Sequence, residues 1–402
     1  MNKSNAASDP AEIQRNALGW IDHELAQLDA NDLRRKLTTR ESPPVAGIVQ
    51  IDNQQLINFG SNDYLGIAAS QELVDTVNHY VSQLGWGAGA SPLVNGRGAL
   101  HRRLEQELAA FEETESALLF PTGYAANVGT VCSLVGKSDF VFSDELNHAS
   151  IIDGCRLSGA NIQVYRHNDV EHLRSLLSKL PSEGRRLIVT DGLFSMDGDF
   201  APLPELAGLA EEFSAMLMVD EAHATGVFGK RGTGVCEHFL VEGHVDVRVG
   251  TLSKALGGLG GFVVGSRSLT DWICNRARPY IFSTAQPEVI AGASLAALEI
   301  VGKQPDRRER LHASSSRLHE QLEASGFDVG TSVSQIIPVI VGSNTDAMQL
   351  SQQLKTKGIY VPAIRPPSVP EGNSRLRISL SSEHTEQQLQ TLVETLVELA
   401  SR

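Results

Sequence analysis

Cysteine is scarce in this 402-residue chain: the four present, Cys132, Cys155, Cys236 and Cys274, lie far apart and form no Cys-x-x-Cys pair. That spacing indicates neither a disulfide framework nor a zinc site, so reduced core thiols and no metal are expected. Basic charge is also in deficit, with 34 Lys and Arg against 48 Asp and Glu, a net −14 and a pI near 5.3. Nucleic acid or an anionic membrane needs a basic face, so both are disfavoured as partners. No apolar run approaches membrane-span length, and nothing near Met1 has the order of a signal peptide, so a cytoplasmic location is expected. What is present, 41% hydrophobic and 20% charged residues, describes a globular protein long enough for two domains.

From Ala11 to Arg40 the spacing of Ile13, Leu18, Ile21, Leu25 and Leu28 predicts an amphipathic helix ending in the basic cluster Arg34-Arg35-Lys36. In so acidic a chain that cluster is a candidate contact for an anionic substrate. Gly85 to Gly98 holds five glycines in fourteen residues, which suits either a surface loop or close backbone approach to a ligand. Ala117 to Phe120 reads as a strand, followed by a glycine turn at Gly123 and a helical run. Such a junction presents free backbone N–H groups and is a candidate phosphate cradle.

Further apolar runs end in polar residues: Phe140–Phe142 before Asp144 and His148, Leu187–Thr190 before Asp191 and Ser195, and Met216–Val219 before Asp220 and His223. The runs are apolar throughout rather than alternating, and helical patterns separate them. A mostly parallel α/β sheet with its ligand site beyond the strands' carboxyl ends is the economical reading. Another Val-rich run reaches Thr251-Leu252-Ser253-Lys254 and then glycines. Lys254 at a strand end is poised for imine chemistry, and Asp220, costly to bury ionised without a partner, suits a protonated ring nitrogen. Together they fit a pyridoxal phosphate site, with His148 able to lie on the ring and His223 able to reach its phenolic oxygen. In Arg375-Leu376-Arg377-Ile378-Ser379-Leu380, alternation places Leu376, Ile378 and Leu380 on a core face and both arginines on the other. Either arginine could clamp a carboxylate.

From about Asn58 to about His384 the chain resembles the α-oxoamine synthases, fold type I pyridoxal phosphate enzymes. The resemblance rests on SNDYLG, GYAAN, NHAS, HNDV, FSMDGD, VDEAH, the TLSK lysine, FST, and AIRPPSVP followed by RLRISL. It implies that Lys254 forms the imine with the cofactor, Asp220 faces the pyridinium nitrogen, His223 the phenolic oxygen, and His148 the ring and the substrate. Gly123, Tyr124 and Thr251 would meet the phosphate, joined by Thr284 from a second subunit of a homodimer, and Ser195 would lie beside the cofactor oxygen. Arg377 would clamp the amino acid carboxylate, while Arg34 and Ser368 match positions that touch substrate.

The Ala363–Pro370 stretch is similar to the branch that condenses L-alanine with a pimeloyl thioester, on coenzyme A or a carrier protein, in biotin biosynthesis. Other branches run the same chemistry on glycine. The resemblance implies an N-terminal helical segment over 1–55, a large cofactor-binding domain over 56–286 and a small α+β domain over 287–402. Ala224, Ala88 and Ala90 stand where the family more often has glycine, and the added methyls are expected to tighten the pocket.

Overall fold

The computed structural model of the protein describes residues 17–179 and 183–401. It begins with a helix, Trp20–Ala30, much shorter than the periodicity predicts and burying none of its side chains. Asn31 caps it and Asp32 turns left-handed (φ 54°), so Leu33 and Arg34 both donate their N–H groups back to Leu28 O. Two turn-forming residues thus end the helix before the basic cluster, which follows outside helical structure; Ile13 lies outside the described residues. A hairpin comes next, β1 (Ile48–Ile51) and β2 (Gln54–Asn58), closed by Asp52 and Asn53, both at positive φ as a two-residue hairpin turn requires.

Seven strands build the central sheet: β3 (Ser116–Phe120), β4 (Phe140–Asp144), β5 (Asn161–Tyr165), β6 (Arg186–Asp191), β7 (Met216–Asp220), β8 (Val247–Thr251) and β9 (Gly261–Gly265). Their spatial order is β3-β9-β8-β7-β6-β4-β5. Strands β4 to β8 run parallel, and β9 is antiparallel to both its neighbours. Successive residues feed two different cores. Phe142, Ile188, Leu217, Val219, Phe262 and Val264 face one; Val141, Leu187, Val189, Met218, Val249 and Val263 face the other. Because both faces pack against apolar cores, the inner positions of the central strands are mostly apolar, which explains the absence of alternation in the sequence. Burying each such side chain contributes about 1.5–3 kcal/mol.

The C-terminal part adds β10 (Ile336–Gly342), β11 (Ile359–Tyr360), β12 (Ala363–Ile364) and β13 (Ser374–Ser379). β10, β13 and β12 form an antiparallel sheet, whereas β11 extends the N-terminal hairpin by pairing parallel with β2. The result is a mixed α/β fold whose seven-stranded sheet directs its carboxyl ends toward β13. Asp144, Asp191, Asp220 and Thr251 close four neighbouring strands at that edge.

Candidate active site

Asp220 is 4% exposed and held from both sides: Asn127 Nδ2 donates to Oδ2 at 2.5 Å and Ala222 N to Oδ1 at 2.8 Å. Its register partner on β6 is a second carboxylate, Asp191, whose Oδ2 accepts from His148 N at 2.7 Å. Burial, reinforced by the charge on Asp220, pushes the Asp191 carboxyl well above the usual range. Asn127 also donates to Ser150 Oγ (2.9 Å), which lies 2.7 Å from His148 Nδ1. A continuous chain therefore joins His148, exposed at the start of helix Ala149–Ser158, to the Asp220 carboxylate.

Lys254 follows β8, and its Nζ lies 2.7 Å from His223 Nε2. Burial lowers the amine to about 8 against the opposing pull of Asp220 and Asp191, with Arg377 lowering it further. The same desolvation, with the charges on Lys254 and Arg377, holds His223 well below its ordinary value. His223 is therefore neutral, and its Nδ1 meets Tyr64 OH at 2.6 Å. Tyr64 OH also donates to Asn62 Oδ1 (3.2 Å) and accepts from Arg377 Nη2 (3.5 Å), so a relay of side chains runs from the lysine to the arginine.

On β13 both arginines are buried, at 4% and 6% exposure. Arg375 is neutralised by Asp197, 2.6 Å away. Arg377 donates instead to neutral oxygens: Ser195 O (2.5 Å), Asn62 Oδ1 (3.1 Å) and Ser379 Oγ (2.6 Å). Alternation left the two equivalent; their partners leave Arg377 as the cation whose charge is not compensated by a contacting carboxylate.

The candidate phosphate cradle lies where β3 passes into helix Gly123–Leu134. Thr122 caps Ala125 N with its side chain and Ala126 N with its carbonyl, so the first two N–H groups, of Gly123 and Tyr124, have no helical acceptor. Phe120 and Thr251 are both paired with Gly261. A Cβ at Gly261 would lie 2.6 Å from Gly123 Cα and from Thr122 O, and one at Gly123 would touch Thr251 at 3.5 Å. The absence of side chains there keeps the N–H groups open beside the Thr251 hydroxyl. A buried amine, a buried carboxylate without a paired cation and an open N–H cradle at one sheet edge fit pyridoxal phosphate, an aldehyde with a basic ring nitrogen and a phosphate.

Other expected residues stand apart. Thr284 is exposed after helix Arg278–Ile281, lining a small cavity with Arg97 and Pro121. Ser368 is exposed, its N–H bonded to Arg365 O. Arg34 is held by Asp29 at 2.5 Å, whereas its neighbour Arg35 reaches Pro366 O at 3.4 Å. Ala224 is fully buried in the large core, and Ala90 O accepts from Ala285 N. Sequence reasoning gives no site role to Asn127, Ser150, Tyr64 and Asn62, and reads Asp191 only as a polar residue closing a strand. All but Asp191 lie inside recognisable motifs, but their role is relational and shows only once their partners are in place. Among the described residues no cluster of His, Cys, Asp and Glu could hold a metal ion, and no helix is long and apolar enough to cross a membrane.

Comparison with known proteins bears on the family and the fold. The aminotransferase class I and II family model matches residues 54–396. An 8-amino-7-oxononanoate synthase of Anaeromyxobacter sp. strain K is 48% identical over 372 residues, covering 92% of this chain and 93% of that protein. A solved serine palmitoyltransferase variant of S. paucimobilis, with bound PLP–myriocin, superposes with a TM-score of 0.91 at 33% identity over 98% of this chain and 99% of that one. The 8-amino-7-oxononanoate synthase of Francisella tularensis gives a TM-score of 0.75 at 29% identity, covering 86% and 98%.

Proposed function

Because the chain belongs to the aminotransferase class I and II family, and within it to the 8-amino-7-oxononanoate synthases, we propose that it condenses L-alanine with a pimeloyl thioester. The products are 8-amino-7-oxononanoate, carbon dioxide and the free thiol, a step of biotin biosynthesis. The chain is a pyridoxal-phosphate-dependent enzyme of fold type I. We place it in the cytoplasm as a homodimer, with Thr284 of one subunit serving the phosphate of the other.

Bound pyridoxal phosphate supplies an electron sink that lets the Cα–H bond of an attached amino acid ionise. Asp220, held by Asn127 and Ala222, would favour a proton on the ring nitrogen by its negative charge, and His148 would cover the ring. His223 would lie beside the phenolic oxygen, its ring held by Tyr64. The N–H groups of Gly123 and Tyr124, with the Thr251 hydroxyl, would hold the phosphate. Lys254 would hold the cofactor and could take up the Cα proton, a role that its lowered affinity for protons supports. Arg377, aimed by Ser195 O and Asn62, would receive the alanine carboxylate, and Ser195 would lie beside the cofactor oxygen. Ser368 and the basic segment around Arg34 meet the acyl donor.

One observation carries the reading: a buried arginine with only neutral contacts, joined through Tyr64 and His223 to a buried lysine amine. That pair recognises the carboxylate and the amino group of one small amino acid. The test is thiol release from pimeloyl, acetyl and palmitoyl thioesters with L-alanine, glycine and L-serine. Alanine with the pimeloyl donor is expected to be fastest. Faster release with glycine and the acetyl donor would move the chain to a glycine-using relative, and serine with the palmitoyl donor to the chemistry of its structural neighbours' name.

A further inference from the structure

Outside the residues assigned so far, His167 stands with each ring nitrogen facing a carboxylate: Nδ1 is 3.0 Å from Asp144 Oδ1 and Nε2 is 3.0 Å from Asp199 Oδ2. Carboxylates only accept, so both nitrogens donate and the ring is an imidazolium. Its neighbour Asn168, in the left-handed region (φ 55°), completes the clamp. Asn168 N donates to Asp144 Oδ2 (2.9 Å) and its Nδ2 to Phe200 O (3.1 Å). Burial opposes the charge on His167, but the two carboxylates outweigh it and raise the ring to about 10.

The two carboxylates belong to the two segments that carry site residues. Asp144 ends β4 and, through Leu146 N (2.9 Å), shapes the turn into Asn147 and His148. Asp199 closes the loop after β6, where its carbonyl accepts from Phe194 N (3.0 Å) and the Phe194 ring stands edge-on to His167 at 4.4 Å. The far side of that loop presents Ser195 O to Arg377 and Met196 O with Asp197 to Arg375. We propose that His167 is a positioning residue for amino acid binding, tying the β4 turn to the 193–200 loop so that Ser195 O holds the Arg377 guanidinium in place. It touches neither cofactor nor substrate, and it rests on the reading that Arg377 binds the amino acid carboxylate.

The experiment is a spectral titration of the cofactor-loaded enzyme with whichever of L-alanine, glycine and L-serine wild type responds to. His167→Gln and Arg377→Ala are measured beside it, together with the acyl-donor KM and Tm. Loss of a charged hydrogen bond predicts about a ten-fold weaker amino acid Kd for His167→Gln, with the acyl-donor KM within about two-fold of wild type. Asp199→Asn placed on top removes one of the two carboxylates that lose the imidazolium and is expected to recover part of that loss. Should His167→Gln not fold, Asp199→Asn alone is read in the same way and is expected to weaken the amino acid Kd. The proposal is overturned if the Kd is unchanged, or if Kd and acyl-donor KM move together with Tm. An unchanged Kd in Arg377→Ala would instead sink the assignment of the carboxylate clamp, so the two failures are separable.

Discussion

At the scale of single residues, Lys254 joins the sequence reading to measurable chemistry. An amine attacks an aldehyde only when unprotonated, and burial brings this one down to about 8. Capture of added pyridoxal phosphate by the cofactor-free enzyme is therefore expected to speed up roughly ten-fold per pH unit below pH 8 and to level off above it. Stopped-flow absorbance between pH 6 and 9.5 measures this, and a rate still rising steeply past pH 9 would mean an ordinary lysine. Lys254→Ala is expected to show no visible absorption band across the same range. The paired arginines teach a complementary lesson. Period-two alternation assigns a side chain to a face, but the partner waiting on that face decides its role, and Asp197 against Ser195 O is what separates Arg375 from Arg377.

Elements matter here mainly at their ends. Gly261 begins β9 against the first turn of helix Gly123–Leu134, where a methyl would stand 2.6 Å from backbone atoms that cannot yield locally. Gly261→Ala is expected to displace the cradle, at a cost of about 1–3 kcal/mol, and to weaken pyridoxal phosphate binding roughly five- to a hundred-fold. Gly208 in helix Leu203–Glu212 has nothing within 4 Å of an added Cβ, so Gly208→Ala serves as the neutral comparison. Equilibrium dialysis of the two variants separates the cases; equal affinities would show that the cradle is not where the phosphate binds. The N-terminal helix shows the opposite balance. Its apolar spacing was legible, yet Asn31 and Asp32 end it early and the structure buries none of its side chains, because periodicity gives an orientation without supplying a surface to pack on.

For the whole molecule, β8 is tied to the helix Ala99–Phe111 by an ion pair with both partners almost fully buried: Arg248 Nη1 lies 2.8 Å from Glu112 Oε2, and Nη2 also bonds the Glu112 carbonyl. Burial pushes the Glu112 carboxyl up, to about 8, against the pull of Arg248. A carboxyl raised in the folded state destabilises the fold as pH climbs from its ordinary value through the raised one, and removing the arginine enlarges that cost. Arg248→Met is expected to lose about 3–5 kcal/mol of stability when Glu112 is ionised, with a smaller deficit at pH 6 than at pH 9. Urea denaturation at the two pH values checks this; a deficit independent of pH would place the loss in packing alone.

The sequence by itself determined the α/β class, the polar residues closing successive strands, and the likeness carried by its motifs. These are written locally: an apolar run buried on both faces, a glycine turn before a helix, a lysine after a Val-rich strand. Tertiary structure decided the rest. It aligned Asp191 beside Asp220, ran Asn127 and Ser150 between Asp220 and His148, joined Tyr64 to His223, and brought Arg35 rather than Arg34 to Pro366. It also buried Ala224 fully in the hydrophobic core. Each of these is a contact between residues far apart in the chain, set by sheet order and register. No local pattern encodes which strand ends become neighbours, and so the partners that fix charge, tautomer and aim emerge only when the chain is folded.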